Sequence, residues 1–175
     1  MKALADGCLS GDVPASISVV ISAVDGTPAV EAARNRELHV AIIPPGEDYG
    51  GRLLAALTGS ELVCLAGYTR LLPDEVLRAF PESVLNVHPA LLPKFGGKGM
   101  YGRHVHEAVL ASGETESGCT VHKVTEVYDE GPIIVQLRCP VEPGDTPDTL
   151  AARVLALETK AYPEAVKSLI DARYA

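Results

Sequence analysis

The chain has 175 residues, 47% of them hydrophobic, and a formal net charge of -8 at pH 7. That size and apolar content suit one globular domain with a buried core, while the acidic balance and the lack of any Lys/Arg-rich run exclude a surface built to grip nucleic-acid phosphates. No apolar run approaches the roughly 18–20 residues of a membrane span, and the opening MKALAD lacks the apolar core of a secretion signal, so a soluble, cytoplasmic protein is expected.

The β-branched run SISVVIS at 16–22 predicts a buried strand, stopped by Asp25-Gly26. Thr27 then caps a helix over PAVEAARNR, with Pro28 in its first turn, and a second strand follows from Leu38 to Ile43. A helix through Asp48 to Leu57 leads to a third apolar run, Glu61 to Ala66, between Gly59 and Gly67. Pro73 opens a further helix, PDEVLRAF, which delivers the chain into SVLNVH at 83–88. This alternation of strand and helix predicts a Rossmann-like α/β fold, a mostly parallel sheet with helices on both faces. Beyond it, RHVHEAVLA at 103–111 reads as a helix, and Ser117 to Val124 and Ile133 to Val141 as two strands joined by a loop, an antiparallel addition to the sheet. Thr146 caps a last helix that runs to about Thr159, and Pro163 restarts one through Ile170. Cys8, Cys64, Cys119 and Cys139 are too scattered for a zinc or redox motif, so no metal is expected and the four read as buried thiols in a reducing compartment.

The most informative window is Ser83 to Gly102. In an extended segment alternate side chains share a face, so Val84, Asn86 and His88 point one way and Leu85 and Val87 the other. An unpaired polar group inside a sheet costs about 1–3 kcal/mol, which favours the open end of a strand that Pro89 closes. Ligands of parallel α/β sheets bind at the carboxyl ends of strands. Taken alone, the pair also fits an Asn that turns back on its own backbone and a satisfied structural histidine. Lys94 to Gly102 (KFGGKGMYG) is too Gly-rich for helix or strand and must be a loop that approaches something closely. A cis bond is expected at Leu92-Pro93, because the chain turns sharply there.

NVHPALLPKFGGKGMYG resembles the signature of the phosphoribosylglycinamide formyltransferase family, with the FGGKGMYG continuation the most specific part. The resemblance implies transfer of a formyl group from 10-formyltetrahydrofolate to the amine of glycinamide ribonucleotide, without metal, by a monomer or homodimer. It also implies roles. Asn86, His88 and Asp129, the last within YDEGPII, match the family's catalytic trio. Tyr68, Thr69, Arg70, Leu71 and Leu72, with Val124 and Thr125, match its folate-holding segments, Arg70 meeting the glutamyl carboxylate. Glu158 and Gly99 fall on the substrate side, and Thr120 and His122 stand behind the folate loop. Without the resemblance, Asp129 reads as a turn carboxylate, Glu158 as part of a charged helix surface, and His122 as a structural strand histidine. His104 and His106, two apart on a helix, read as solvated or helix-terminal residues.

The resemblance extends over essentially the whole sequence, but family members begin with a strand and a phosphate-binding loop, whereas KALADGCLSGDVPA looks like the helix that follows them. A sheet lacking its first strand, with a gap or exposed edges, and weak binding of the nucleotide phosphate are therefore expected. Hydrolysis of formyltetrahydrofolate, another folate-dependent formyl transfer, and folate binding without turnover are the alternatives.

Overall fold

The structure, a computed structural model, describes residues 1–174. In chain order its elements are α1 (Lys2–Ser10), β1 (Val20–Ser22), α2 (Pro28–Arg34), β2 (Val40–Ile42), α3 (Tyr49–Ala56), β3 (Val63–Leu65), α4 (Asp74–Ala79), β4 (Val84–His88), α5 (Arg103–Ala111), β5 (Glu116–Lys123), β6 (Ile133–Pro140) and α6 (Pro147–Tyr174). The expected α/β order holds throughout. β1 pairs with β2 and β3 with β4 in parallel, and β5 and β6 add to β4 as antiparallel strands. The strands form two pieces, β1-β2 and β3-β4-β5-β6, which are not hydrogen-bonded to each other. The expected gap in the sheet is thus present, between β1 and β3.

Alternation along β4 separates two cores. Leu85 faces one formed with Val109 of α5 and Leu150, Val154, Tyr162 and Val166 of α6. Val84 faces the other, with Leu53 of α3, Val76 of α4, Leu57 and Leu72. Helices therefore cover both faces. Each fully buried Leu or Val contributes about 1.5–3 kcal/mol, so β4, fully buried at Val84 and Leu85 and packed on both sides, is securely held.

Three sequence expectations are corrected. The strand predicted over 16–22 is paired only at Val20–Ser22, because residues 16–19 have no ladder partner. Pro163 does not restart a helix but sits inside the continuous α6. A proline removes one helical hydrogen bond, yet Ala161, Tyr162, Ala165 and Val166 are buried on both sides of it, and the Tyr162 hydroxyl lies 2.8 Å from the Leu65 carbonyl and 3.0 Å from that of Leu85. That docking outweighs the lost bond. Finally, only Cys119 and Cys139 are buried; Cys8 and Cys64 are half-buried. Thr27 and Thr146 act as expected, their hydroxyls accepting from the Val30 and Thr149 amides.

Candidate active site

β4 and β5 pair with Asn86 opposite His122 and His88 opposite Thr120, which places four polar side chains on one face. A register shift between Val121 and His122 re-aims the end of β5. The Asn86 Nδ2 lies 3.3 Å from His122 Nε2, and His122 Nδ1 is 2.9 Å from the Lys123 carbonyl. Since a carbonyl only accepts, Nδ1 carries the hydrogen of neutral His122, and Nε2 accepts from the Asn86 amide. His88 is fixed the same way: its Nε2 donates to the Phe95 carbonyl at 2.8 Å, leaving Nδ1 turned to Asp129.

Asp129 joins the two imidazoles. Its Oδ2 lies 3.5 Å from His88 Nδ1 and its Oδ1 3.5 Å from His122 Nε2, and Oδ2 accepts the Gly97 amide at 2.9 Å. The residue adopts a left-handed conformation (φ 57°) that Asp tolerates better than most. Its approach depends on two glycines. A Cβ on Gly96 would meet Leu92 at 2.6 Å and Asp129 Cβ at 3.0 Å, and one on Gly131 would collide with the Lys123 carbonyl oxygen. Sequence reasoning missed these supports, as it missed the Phe95 carbonyl.

The electrostatics follow from burial. His88, 3% exposed, is held below its ordinary pKa chiefly by desolvation, against the pull of Asp129 and the Phe95 carbonyl. It is therefore neutral at pH 7, and the 3.5 Å contact becomes an ion pair only when His88 takes up a proton. Burial pushes the Asp129 carboxyl up, but the Gly97 amide, and the His122 and His88 imidazoles once they carry a second proton, pull it down, and the net direction is down. An ionised carboxylate thus sits beside an imidazole ready to accept a proton, the arrangement of an acid–base relay.

Thr120 braces the loop that follows β4. Its hydroxyl donates to the Ala90 carbonyl at 2.7 Å and accepts from the Leu92 amide at 3.1 Å and from Gln136 Nε2 at 2.9 Å. The Leu92-Pro93 bond in that loop is cis, as expected.

The other predicted residues lie around this cluster or away from it. Tyr68, Thr69 and Arg70 follow the carboxyl end of β3, with Thr69 and Arg70 exposed and the Tyr68 hydroxyl 3.3 Å from the Leu71 carbonyl. Leu71 is half exposed, but Leu72 is 6% exposed and belongs to the core, so its side chain supports the loop from beneath. Val124, half-buried, continues from β5, and Thr125 is exposed, its hydroxyl donating to the Val127 carbonyl. Gly99 is exposed in a left-handed turn of the glycine loop. Glu158 lies on α6, half-buried; desolvation raises its pKa against the opposing charge of the Met1 amine. Among the described residues it shares no hydrogen bond or ion pair with the Asn86–His88–Asp129 cluster. His106 corrects the sequence reading: it is 4% exposed rather than solvated, its Nδ1 has no hydrogen-bond partner, and burial followed by the proximity of His88 lowers its pKa. His104 is exposed, as expected, edge-on to Tyr101.

A half-buried amide, two imidazoles of fixed tautomer and an ionised carboxylate at a strand end make up a candidate acid–base site in a doubly covered α/β fold. Residues 1–166 match the Formyl transferase family, and the chain belongs to it. Over 176 residues it is 40% identical to the chloroplastic phosphoribosylglycinamide formyltransferase of Arabidopsis thaliana, the alignment covering 96% of this chain and 60% of the relative. The corresponding protein of Vigna unguiculata is 42% identical over 174 residues, with 95% and 54% covered, so the chain spans little more than half the length of these relatives. Among solved structures, glycinamide ribonucleotide transformylase 1 from Symbiobacterium toebii superposes with a TM-score of 0.91 at 39% identity, covering 98% of this chain and 82% of that one. Among the described residues no helix is long and apolar enough to cross a membrane.

Proposed function

We propose that residues 1–175 act as one formyltransferase domain that moves the formyl group of 10-formyltetrahydrofolate to the primary amine of glycinamide ribonucleotide, a step of purine synthesis, in the cytoplasm. The observation that carries this reading is the convergence of Asn86, His88 and Asp129 around His122: Asn86 is hydrogen-bonded to His122, and Asp129 lies 3.5 Å from both His88 and His122, in a chain of this family. The amine attacks the formyl carbon, giving a tetrahedral intermediate with negative oxygen and positive nitrogen. One Asn86 N–H points to His122, and the other is free to donate to the oxyanion, a contribution typically worth about 10²–10³ in rate. Neutral His88 takes the proton from the attacking nitrogen at Nδ1, and the Asp129 carboxylate stabilises the imidazolium. His88 then gives that proton to the leaving folate nitrogen as the C–N bond breaks, so the site ends as it began.

Tyr68 to Leu72 with Val124 and Thr125 hold the folate in this reading, and the exposed Arg70, which has no ion pair among the described residues, meets its glutamyl carboxylate. Gly99 and Glu158 serve the nucleotide side, and Thr120 and His122 position the loop and Asn86. No metal takes part, so dialysis against a chelator leaves turnover unchanged. The deciding experiment follows folate release with and without glycinamide ribonucleotide. Amine-dependent release supports transfer; equal release in water alone would overturn it in favour of hydrolysis, and folate binding without release in favour of a binding protein. Cell fractionation tests the compartment.

A further inference from the structure

The segment after β4 that carries the Phe95 carbonyl has almost no backbone support of its own. Among the described residues, the only backbone hydrogen bond within 90–95 runs from the Lys94 amide to the Leu91 carbonyl. Two side chains set its place instead. Thr120 of β5 and Gln136 of β6 stand opposite each other in the ladder, and Gln136 Nε2 lies 3.0 Å from the Leu92 carbonyl and 2.9 Å from the Thr120 hydroxyl. A carbonyl only accepts, so this end of the side chain is the NH2 group; the Oε1 end faces the Arg138 guanidinium, which only donates, at 3.5 Å. Both amide hydrogens of Gln136 are therefore used. So are the one hydrogen and both lone pairs of the Thr120 hydroxyl, which donates to the Ala90 carbonyl and accepts from the Leu92 amide and from Gln136.

Farther along the same segment, Phe95 adopts a left-handed conformation (φ 58°) that an aromatic residue seldom takes. Its ring packs against the core formed with α5 and α6, and its carbonyl meets His88 Nε2 at 2.8 Å. The tautomer of His88 hangs on that contact. The ionised Asp129 carboxylate, 3.5 Å from Nδ1, is the stronger acceptor by charge and favours a hydrogen on Nδ1. The nearer Phe95 carbonyl favours one on Nε2. Neutral His88 has a single ring hydrogen for the two, and proximity decides only while the loop keeps its place.

We propose, on the reading that His88 accepts the proton in formyl transfer, that Gln136 is a positioning residue of the acid–base site: by holding the Leu92 carbonyl it keeps the Phe95 carbonyl on His88 Nε2, and so leaves the Nδ1 lone pair for the proton of the attacking amine. Without that hold the loop relaxes, Asp129 takes the ring hydrogen at Nδ1, and the lone pair passes to Nε2. A His88 in that tautomer cannot accept a proton at Nδ1. Gln136 never touches the reacting atoms; it acts through Leu92 and Phe95.

The test reads the His88 ring itself, by heteronuclear NMR of protein labelled in its histidine rings. The wild type shows Nε2–H, and its Gln136 amide protons exchange with water at least about tenfold more slowly than those of the exposed Asn35. Gln136→Met keeps the length without any N–H, and Gln136→Glu keeps the shape but sets a carboxylate against the Leu92 carbonyl. In both, with the circular dichroism spectrum retained, Nδ1–H becomes the main tautomer of His88, and kcat falls about tenfold or more with folate Kd within roughly twofold of the wild type. A folded Gln136→Met protein that keeps His88 as Nε2–H would overturn the proposal and leave Gln136 a structural role. If neither variant folds, the wild type decides: Gln136 amide protons that exchange as fast as those of Asn35, or His88 found as Nδ1–H, would overturn it. The ring signals do not depend on formyl transfer. A chain that shows them, and their change in the variants, but releases folate equally in water alone keeps Gln136 as the residue that sets the His88 tautomer and loses only the proposed reaction.

Discussion

The β3–β6 piece and the β1–β2 piece are made from similar apolar, β-branched segments but are held very differently. β4 and β5 each have a neighbour on both sides, and their side chains form a continuous network from Asn86 through His122 and Asp129 to His88, braced below by Thr120 and Gln136. β1 and β2 share three residue pairs and leave an open edge beside the gap in the sheet. The contrast teaches that the Asn86 and His88 side chains are placed by a doubly flanked strand and Asp129 by the β5–β6 loop packed on Gly96, while the other piece bears on completeness of the sheet.

The largest effect should come from Asp129→Asn. Asn still accepts the Gly97 amide, so the fold persists, but it cannot stabilise the His88 imidazolium; formyl-transfer turnover should fall at least about 10²-fold with folate affinity little changed, read from kcat against folate Kd. Equal losses in both would give Asp129 a structural role and break the comparison. Next, Gly131→Ala forces a Cβ into the Lys123 carbonyl and should cost about 1–3 kcal/mol in urea unfolding. Tyr162→Phe leaves the Leu65 and Leu85 carbonyls without that donor and should cost about 0.5–1.5 kcal/mol, a loss that a substitution on the open β1–β2 piece, Ser22→Ala, would not match.

The smallest effect is a pH slope. The folded-state pKa of His88 lies below the ordinary value of 6.5, mainly through burial. The unfolded chain therefore binds that proton first as pH falls, and stability is lost below about pH 6.5 at no more than about 1.4 kcal/mol per pH unit for the group. Asp129, with its carboxyl held below 3.8, stabilises the fold above that value and loses its contribution as pH falls further. Urea midpoints for the wild type and His88→Gln, compared at pH 7, 5.5 and 3.5, check both: the variant should lose the upper limb and keep an acid loss.

The sequence carried the order of elements and the Asn86-x-His88 face, because period-two alternation is local and survives any tertiary context. Asp129 was legible only through family resemblance, since its place beside His88 depends on the β4–β5 register and on Gly96 and Gly131, which no spacing along the chain encodes. His106 misled because an imidazole reads as polar, and only the packing of α5 shows that it lies on the buried side with Val105 and Val109. Pro163 misled for a similar reason: local propensity favours a break that the burial of Ala161, Tyr162, Ala165 and Val166 overrides.

Tyr162 also bears on the order in which the chain assembles. Its hydroxyl reaches partners 97 and 77 residues earlier, contacts that close large loops and so form late. The β5–β6 hairpin is far more local and can form first. During synthesis, β3 and β4 leave the ribosome well before α6, and one of their two faces stays uncovered until that helix arrives. The nascent protein therefore carries an exposed apolar surface through much of its translation, the condition under which a chaperone is most useful.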